Sequence, residues 1–128
     1  MIQVRPIDLA RFQIASLTEE AARALAETPF PQGRVAKAWE MVDGDIVLAY
    51  GGVAQESLLS LPEVWALLGK EFSFCLLRNV RALRRAVERH APPGAVMWVD
   101  TERGKRFAAL IGAEPFREAD GWTQMRFT

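Results

Sequence analysis

Residues 74–112 read FCLLRNVRALRRAVERHAPPGAVMWVDTERGKRFAALIG. The spacing of apolar residues in this stretch predicts a main helix from Leu77 to Arg89, ended by the Ala-Pro-Pro-Gly segment 91–94. The apolar run 95–99 predicts a buried strand. A second helix is expected from Thr101 to Ile111, before a glycine that can end it. This helix–strand–helix unit favours an α/β domain.

The rest of the chain predicts strands and two further helices. The expected strands are 1–4, 35–42, 46–53, 61–68, 113–117 and 122–127, and the expected helices are 8–15 and 19–27. Asp43-Gly44-Asp45 lies between two apolar runs, which is a strong hairpin signal. Gly51 and Gly52 indicate a bulge or a close approach of two backbones. With no long linker and no internal repeat, residues 1–128 are expected to form one domain.

The composition is that of an ordinary globular protein. Half of the residues are apolar, and 16 Lys and Arg balance 16 Asp and Glu, so no net charge favours nucleic acid or a membrane surface. No apolar run approaches the roughly 20 residues of a membrane span, and no signal peptide is apparent. The single Cys75 cannot form an internal disulfide, which fits a reducing compartment. We therefore expect a cytoplasmic protein without membrane or nucleic-acid partners.

The order of elements resembles the fold of the GNAT superfamily of N-acetyltransferases. Members often carry the pattern Asn-x-x-Ala-x-x-Phe-Tyr-x-x-x-Gly-Phe after the fifth strand. The corresponding residues here are Thr101, Gly104, Phe107, Ala108, Gly112 and Ala113. Only Phe107 and Gly112 match. The resemblance implies an α/β fold with a mixed, mostly antiparallel central sheet of about six or seven strands and helices on both faces.

The sequence looks still more like small GNAT-like proteins of tailed bacteriophages and prophages. The shared features are the strand Pro62-Glu63-Val64-Trp65, the Arg-rich helix 77–89 and the strand Trp98-Val99-Asp100. This resemblance implies a non-catalytic structural or assembly component of a phage-like particle. Such a protein would self-associate or bind other particle proteins, in the cytoplasm or as part of a virion. The alternative is an acetyl-CoA-dependent N-acetyltransferase, and a third hypothesis is an effector-binding module.

An acetyltransferase of this family must hold the pyrophosphate of acetyl-CoA. Its members use a Gln/Arg-x-x-Gly-x-Gly/Ala loop, whose glycines let backbone N–H groups approach the phosphates. The corresponding segment 69–78 reads GKEFSFCLLR, without Gly-x-Gly. Phe72, Phe74 and Leu76 are expected to crowd the backbone and Glu71 to repel phosphate, so no cofactor is expected. The candidate ligands, should acetyl-CoA bind, are Gly69, Lys70 and Ser73.

The catalytic residues implied by the resemblance are also incomplete. Many members place a tyrosine at the position of Ala108 to protonate the departing thiolate. The only tyrosine, Tyr50, lies in the predicted hairpin and is expected to be a sheet residue. A general base would have to deprotonate the attacking amine. The candidates are Glu40, Glu56 and Glu63, each of which also fits a solvated carboxylate on a sheet face.

The remaining chemically active side chains have structural explanations. One His and one Cys cannot make a zinc site, so no metal is expected. His90, at the end of the main helix, is expected to cap it or to lie on the surface. Cys75 is expected to pack as a small apolar residue. The four tryptophans are expected to pack in the core or against the sheet, rather than to stack on bases.

The main helix carries a stripe of arginines on its predicted outer face. Its members are Arg78, Arg81, Arg85 and Arg89. Such a stripe is commonly a solvated helix face. The functional alternative is docking to an acidic protein surface or to nucleic-acid phosphate, and the balanced net charge argues against the latter. We retain these four residues as candidate partner-docking residues.

Overall fold

The computed structural model describes residues 1–7, 17–19, 21–23, 34–55 and 59–127, and the side chains of 34–36 are not described. The strands are β1 Ile2–Pro6, β2 Arg34–Asp43, β3 Ile46–Gln55, β4 Glu63–Leu68, β5 Val96–Val99, β6 Ala113–Ala119 and β7 Trp122–Phe127. The helices are a 3-10 helix Phe72–Cys75, α1 Leu76–His90 and α2 Glu102–Leu110. Glu19 and residues 21–23 are also helical.

All seven strands belong to one sheet, in the order β1-β2-β3-β4-β5-β7-β6. Every neighbouring pair is antiparallel except β4 and β5, which are parallel. The chain crosses from β4 to β5 through the 3-10 helix and α1, because parallel neighbours need a long connection. The predicted mixed, mostly antiparallel sheet is confirmed. That residues 1–128 form a single domain stays a prediction.

The two faces of the sheet bury different clusters. On one face, Val80 and Leu83 of α1 and Ile111 after α2 pack with Met41 and Met125 of the sheet. On the other face, Tyr50 packs in a second cluster with Leu17 and Ala21. Since successive side chains of a strand point to opposite faces, each face receives its own layer of helices. The predicted helices on both faces are confirmed.

Helical spacing in the sequence predicts that Leu76 and Leu110 lie on the buried faces of the two helices, but both are exposed. Leu76 is 47% exposed and Leu110 is 50% exposed. Phe72, from the 3-10 helix that the sequence did not predict, fills the core beside the start of α1 and leaves Leu76 outside. In α2 the buried side is formed by Ala108 and the following Ile111, so that Leu110 faces away from the sheet.

The two adjacent glycines of β3 are required by close packing. A Cβ on Gly51 would lie 2.8 Å from the ring of Trp39, and one on Gly52 would lie 2.6 Å from the Lys37 carbonyl oxygen. Both distances are shorter than real Cβ contacts, so larger residues would push the neighbouring strand away. The predicted close approach is confirmed.

Two stretches of predicted helix have no structural test. The predicted helix 8–15 and most of 19–27 lie outside the described residues. Among the helices that the structure describes, none is long and apolar enough to span a bilayer.

Candidate functional site

The parallel strands β4 and β5 separate after a single point of pairing. Glu63 is in register with Val96, and the Val96 N–H donates to the Pro62 carbonyl at 2.9 Å. β4 then continues to Leu68 and β5 to Val99 without further pairing between them. The sheet is therefore open between the carboxyl ends of β4 and β5.

The backbone of Ala66 faces this opening. Alternate residues of a strand direct their N–H and C=O groups to the same side. The Pro62 carbonyl accepts from β5, the Leu68 carbonyl accepts from the Thr18 N–H at 3.0 Å, and Gly69 donates the opposite way, to Leu48 of β3 at 2.8 Å. Ala66 has the same parity as Pro62 and Leu68, so its N–H and C=O groups point away from β3, and no described strand lies opposite it. Among the described residues, the opening thus presents a backbone donor and acceptor without a partner.

Side chains along the opening are only half-buried, although both strands lie inside the sheet. The residues are Trp65, Ala66, Leu67 and Leu68 of β4 and Trp98 of β5. In contrast, residues 47–54 of β3 are buried throughout. Both faces of β4 are thus partly exposed beside the opening, as expected of a strand that has lost its neighbour on one edge.

The N-terminus of α1 lies at the same end of the sheet, because the chain reaches it directly from β4. Its N-cap residue Cys75 makes no side-chain capping bond, and the first turn contains no acidic residue. The first N–H groups of a helix have no partner within it, and the helix dipole gives that end a partial positive charge. This end of α1 is therefore suited to an anion.

Asn79 holds the start of α1 against the preceding turn. Its side chain is fully buried, and its Nδ2 donates to the Phe72 carbonyl at 2.7 Å. Its Oδ1 accepts from Arg78 Nε at 3.2 Å. Since both groups of the amide are paired, the bend between the 3-10 helix and α1 is fixed by a satisfied buried side chain.

The three candidate cofactor ligands lie near this end but have different roles. Lys70 and Ser73 are exposed. Gly69 already uses its N–H to bind Leu48, and a Cβ there would lie 2.7 Å from the Val47 carbonyl oxygen. Glycine is thus required at 69 for the approach of β4 to β3. Phe72, expected to crowd the loop, is buried in the core.

The structure does not bring the candidate bases together. Glu40 is 3% exposed and its Oε1 lies 2.7 Å from Arg5 Nε, on β2 and away from the opening. Glu63 is exposed at the start of β4, where the two strands are still paired. Glu56 lies outside the described residues. Tyr50 is fully buried in β3, as expected, and Ala108 is fully buried as well.

Asp100 is a carboxylate that sequence reasoning missed. It follows β5 directly and is exposed, so it lies at the carboxyl end of β5, which borders the opening. The next residue, Thr101, caps α2 by accepting the Gly104 N–H at 2.9 Å. An acidic residue between a buried strand and a helix cap is the signal that could have found it, because carboxyl ends of parallel strands meet at one edge.

Cys75 and His90, the single cysteine and the single histidine, lie at opposite ends of α1. Cys75 is exposed, which corrects the prediction that it packs as an apolar residue, because it is the N-cap of α1 and not part of its buried face. His90 stacks on Trp39 with ring centroids 5.3 Å apart. Burial, together with the charges of Lys37 and Arg89, lowers the pKa of His90 below 6.5.

The arginine stripe lies away from the opening. Arg78, Arg81, Arg85 and Arg89 line a cleft of about 550 Å³ between α1 and β1. Arg78 Nη1 pairs with Asp43 Oδ2 at 3.1 Å. The other three guanidinium groups make no ion pair with any described residue. Among the described side chains there is no group of three or more that could hold a metal ion.

No protein-family profile and no curated protein sequence matches the chain. Solved structures do match it. PaiA N-acetyltransferase from Thermoplasma acidophilum, in complex with coenzyme A, gives a TM-score of 0.66 at 8% identity, covering 100% of this chain and 99% of that one. IAA acetyltransferase from Bacillus cereus gives 0.63 at 11% identity, covering 99% of each chain. An acetyltransferase of the GNAT family from Streptococcus agalactiae gives 0.60 at 15% identity, covering 98% and 93%.

This chain has the GNAT N-acetyltransferase fold. The comparisons match this fold over nearly the whole chain. At such low identities the likeness shows the fold alone.

The functional prediction of a non-catalytic structural or assembly component of a phage-like particle is wrong. The three similar structures are all named as acetyltransferases, and none is a virion protein. The expectation that no cofactor binds is also unsupported, since one neighbour was solved with coenzyme A. Both predictions relied on the missing Gly-x-Gly motif, which describes one solution to phosphate binding and does not report on the opening between β4 and β5.

Proposed function

We propose that this GNAT-fold protein is an acetyl-CoA-dependent N-acetyltransferase whose donor site is the opening between β4 and β5. The observation that carries the proposal is the free backbone edge at Ala66 inside this opening. Acetyl-CoA has an arm with two amide groups, which can hydrogen-bond to a free strand edge as another strand would. The thioester at its tip is the chemistry that the cofactor supplies.

The residues around the start of α1 fit the phosphates of the cofactor. The first turn, which no side chain caps, and the dipole of a 15-residue helix favour an anion, and Lys70 adds a positive charge nearby. The burial of Phe72 in the core and the pairing of Asn79 with its carbonyl keep this turn in place. In this proposal, backbone N–H groups at the start of α1 bind the phosphates, which a Gly-x-Gly loop binds in other members of the family.

Asp100 fits the acceptor side of the reaction. An amine is protonated at neutral pH, and a carboxylate at the edge of the opening attracts it and can accept the proton that it must lose. The neutral amine would then form the C–N bond of the amide while the C–S bond of the thioester breaks. Ala108, at the position of the usual tyrosine, cannot protonate the departing thiolate, so water or the second proton of the amine would do so.

Calorimetric titration with acetyl-CoA tests the proposal directly. We expect one site with a dissociation constant below about 1 mM, and a rise in melting temperature that grows with cofactor concentration. Cys75, exposed at the N-cap of α1, is a built-in reporter, and its reaction with a disulfide reagent should slow when the cofactor is bound.

Two variants at the proposed donor site and one control variant test whether acetyl-CoA affinity depends on this site. Ala66→Pro removes the N–H that faces the opening, whereas the hydrogen bonds to β3 are made by its neighbours, so acetyl-CoA binding should fall at least tenfold. Lys70→Gln should weaken binding several-fold, and Arg106→Gln, an exposed charge on α2, should leave it unchanged. Absence of any heat and any thermal shift in the wild-type protein would refute the proposal.

A further inference from the structure

The cleft between α1 and β1 is a second candidate site, on the other side of α1 from the opening. Its wall is formed by the arginine stripe, and its floor by the small and apolar residues Ile2, Val4, Ala82 and Ala86. Arg81, Arg85 and Arg89 are exposed and make no ion pair with any described residue. Three unneutralised guanidinium groups on one wall of a cleft favour an anionic ligand.

β1 is the first strand in the order of the sheet, and no described strand pairs with its outer side. Its one neighbour among the described strands is β2. The Ile7 N–H donates to the Ala38 carbonyl of β2 at 3.3 Å, so by alternation Gln3 and Arg5 also turn their backbone groups toward β2. Ile2 and Val4 then direct their N–H and C=O groups outward. Pro6 occupies the next outward position, where a missing N–H costs no hydrogen bond.

β1 and α1 run side by side in the same direction. At one end, Ile2 is in register with Asp43, which pairs with Arg78. At the other end, Pro6 is in register with Trp39, on which His90 stacks. The free edge of β1 and the arginine stripe therefore border the same cleft along its length.

The spacing of the arginines matches that of an extended peptide. Arg81, Arg85 and Arg89 are four residues apart, which is about 6 Å per step along a helix. Alternate side chains of a strand are about 6.6 Å apart. Carboxylates at every second position of a strand would thus meet successive arginines, whereas phosphates of a nucleic acid would leave the outward groups of β1 without backbone partners.

We propose that the cleft binds an acidic, extended segment of a partner protein, which adds to the free edge of β1 and directs alternate Asp or Glu side chains to Arg81, Arg85 and Arg89. The backbone pairing supplies affinity, and the arginines select for carboxylates at alternate positions. This interaction does not depend on acetyl transfer, because neither the opening nor Asp100 takes part in it.

The test is a calorimetric titration of the full chain with a synthetic peptide in which Glu alternates with Val and Thr. The reference peptide has the same composition, with its Glu residues placed consecutively. We expect the alternating peptide to bind at least tenfold more tightly than the reference, with an affinity that falls as salt is added. Equal affinity of the two peptides, or no binding of either, would overturn the proposal.

Matched variants test the two parts of the site. Arg81→Gln with Arg85→Gln should weaken binding at least tenfold, whereas Arg23→Gln with Arg106→Gln, which removes two exposed charges elsewhere, should change it less than about twofold. Val4→Pro removes an outward N–H and leaves the bonds to β2 intact, so binding should again fall about tenfold.

Pairing of the peptide with the edge of β1 can also be measured in the wild-type protein. Amide hydrogen exchange at Val4 should slow on addition of the peptide, while exchange at Ala66 should not. If single-stranded DNA or polyphosphate binds through Arg81 and Arg85 and the alternating peptide does not, the cleft is a phosphate site and the proposal is wrong.

Discussion

The two candidate sites beside α1 differ in the groups that form them. The opening between β4 and β5 is defined by backbone: strands that separate after Glu63, the free groups of Ala66 and the uncapped start of the helix. The cleft beside β1 is defined by side chains, with three guanidinium groups that lack a carboxylate partner among the described residues. If the opening binds acetyl-CoA as we propose, backbone geometry can form a donor site without the usual sequence motif, whereas the cleft depends on the identity of its side chains.

Gly69→Ala should have the largest effect on the opening while leaving the cleft beside β1 intact. Its Cβ would lie 2.7 Å from the Val47 carbonyl oxygen, so the end of β4 must shift away from β3. We expect a loss of about 2 kcal/mol or more in unfolding free energy and at least a tenfold loss of acetyl-CoA affinity. Urea unfolding and calorimetry measure the two effects.

The control for that change is Gly104→Ala, in the first turn of α2. Its Cβ would lie 3.1 Å from Thr101 Oγ1, a side chain that can adjust, and alanine favours the helix. Peptide affinity at the cleft should stay within about threefold of wild type in both variants. A Gly69→Ala protein that binds acetyl-CoA normally would contradict the importance of this end of β4.

Asp100→Asn tests whether the opening is catalytic as well as open. The amide keeps the shape of the side chain but cannot accept the proton, so the turnover of acetyl transfer should fall about 10- to 100-fold with little change in acetyl-CoA affinity. The assay is steady-state release of free thiol with a panel of amines, in a Cys75→Ala background that does not react with the reagent.

Asp120→Asn is the matched control for Asp100. This exposed carboxylate has a backbone φ of 53°, a conformation that asparagine tolerates, and it lies in the turn between β6 and β7. Its turnover should equal that of the wild type. If both variants lose the same activity, the effect is one of general charge and Asp100 has no special role.

Asn79→Ala tests the fixed start of α1. Removal of the amide leaves the buried Phe72 carbonyl without its 2.7 Å hydrogen bond, which should cost about 2 kcal/mol in unfolding free energy. Chemical denaturation measures this, with Ser73→Ala, an exposed site six residues earlier, as the control. A cost below about 0.5 kcal/mol would mean that packing alone holds the turn.

His90→Gln, a change in the lining of the cleft, should have the smallest effect, on the pH dependence of stability. The pKa of His90 is lowered below 6.5 by burial and by Lys37 and Arg89, so the unfolded chain takes up the proton more readily than the folded one. Wild-type stability should therefore be fully present above pH 6.5 and fall as the pH drops through this value to the lowered pKa.

The variant should lose that part of the pH dependence. Above pH 6.5 it lacks the stacking on Trp39 and should be slightly less stable than the wild type, and the difference should shrink toward acid pH. Urea midpoints measured at several pH values decide this. A difference that does not change with pH would show that His90 does not titrate in this range.

Most of the fold could be predicted because it follows from local patterns. Apolar periodicity located α1, and the Asp-Gly turn and the paired glycines located the β2–β3 hairpin. The resemblance of element order gave the mixed sheet. Leu76 was misassigned because periodicity alone does not reveal that Phe72, four residues earlier in a 3-10 helix, already fills that part of the core.

The candidate site was harder to predict, because the sequences of two distant strands do not show how far the strands pair. Nothing in the residues 63–68 or 96–99 says that they pair at one point only, and so the free edge of Ala66 could not be foreseen. Glu40 was chosen as a central carboxylate, but its burial against Arg5 depends on the register of β1 with β2. The arginine stripe, in contrast, follows from helix spacing.

Amide hydrogen exchange at Ala66 with and without acetyl-CoA tests the central claim most directly. We expect this amide, which has no partner among the described residues, to become protected at saturating cofactor, while Val4 at the edge of β1 exchanges at an unchanged rate. Exchange at Ala66 that is unaffected by millimolar acetyl-CoA would contradict the assignment of the opening as the donor site.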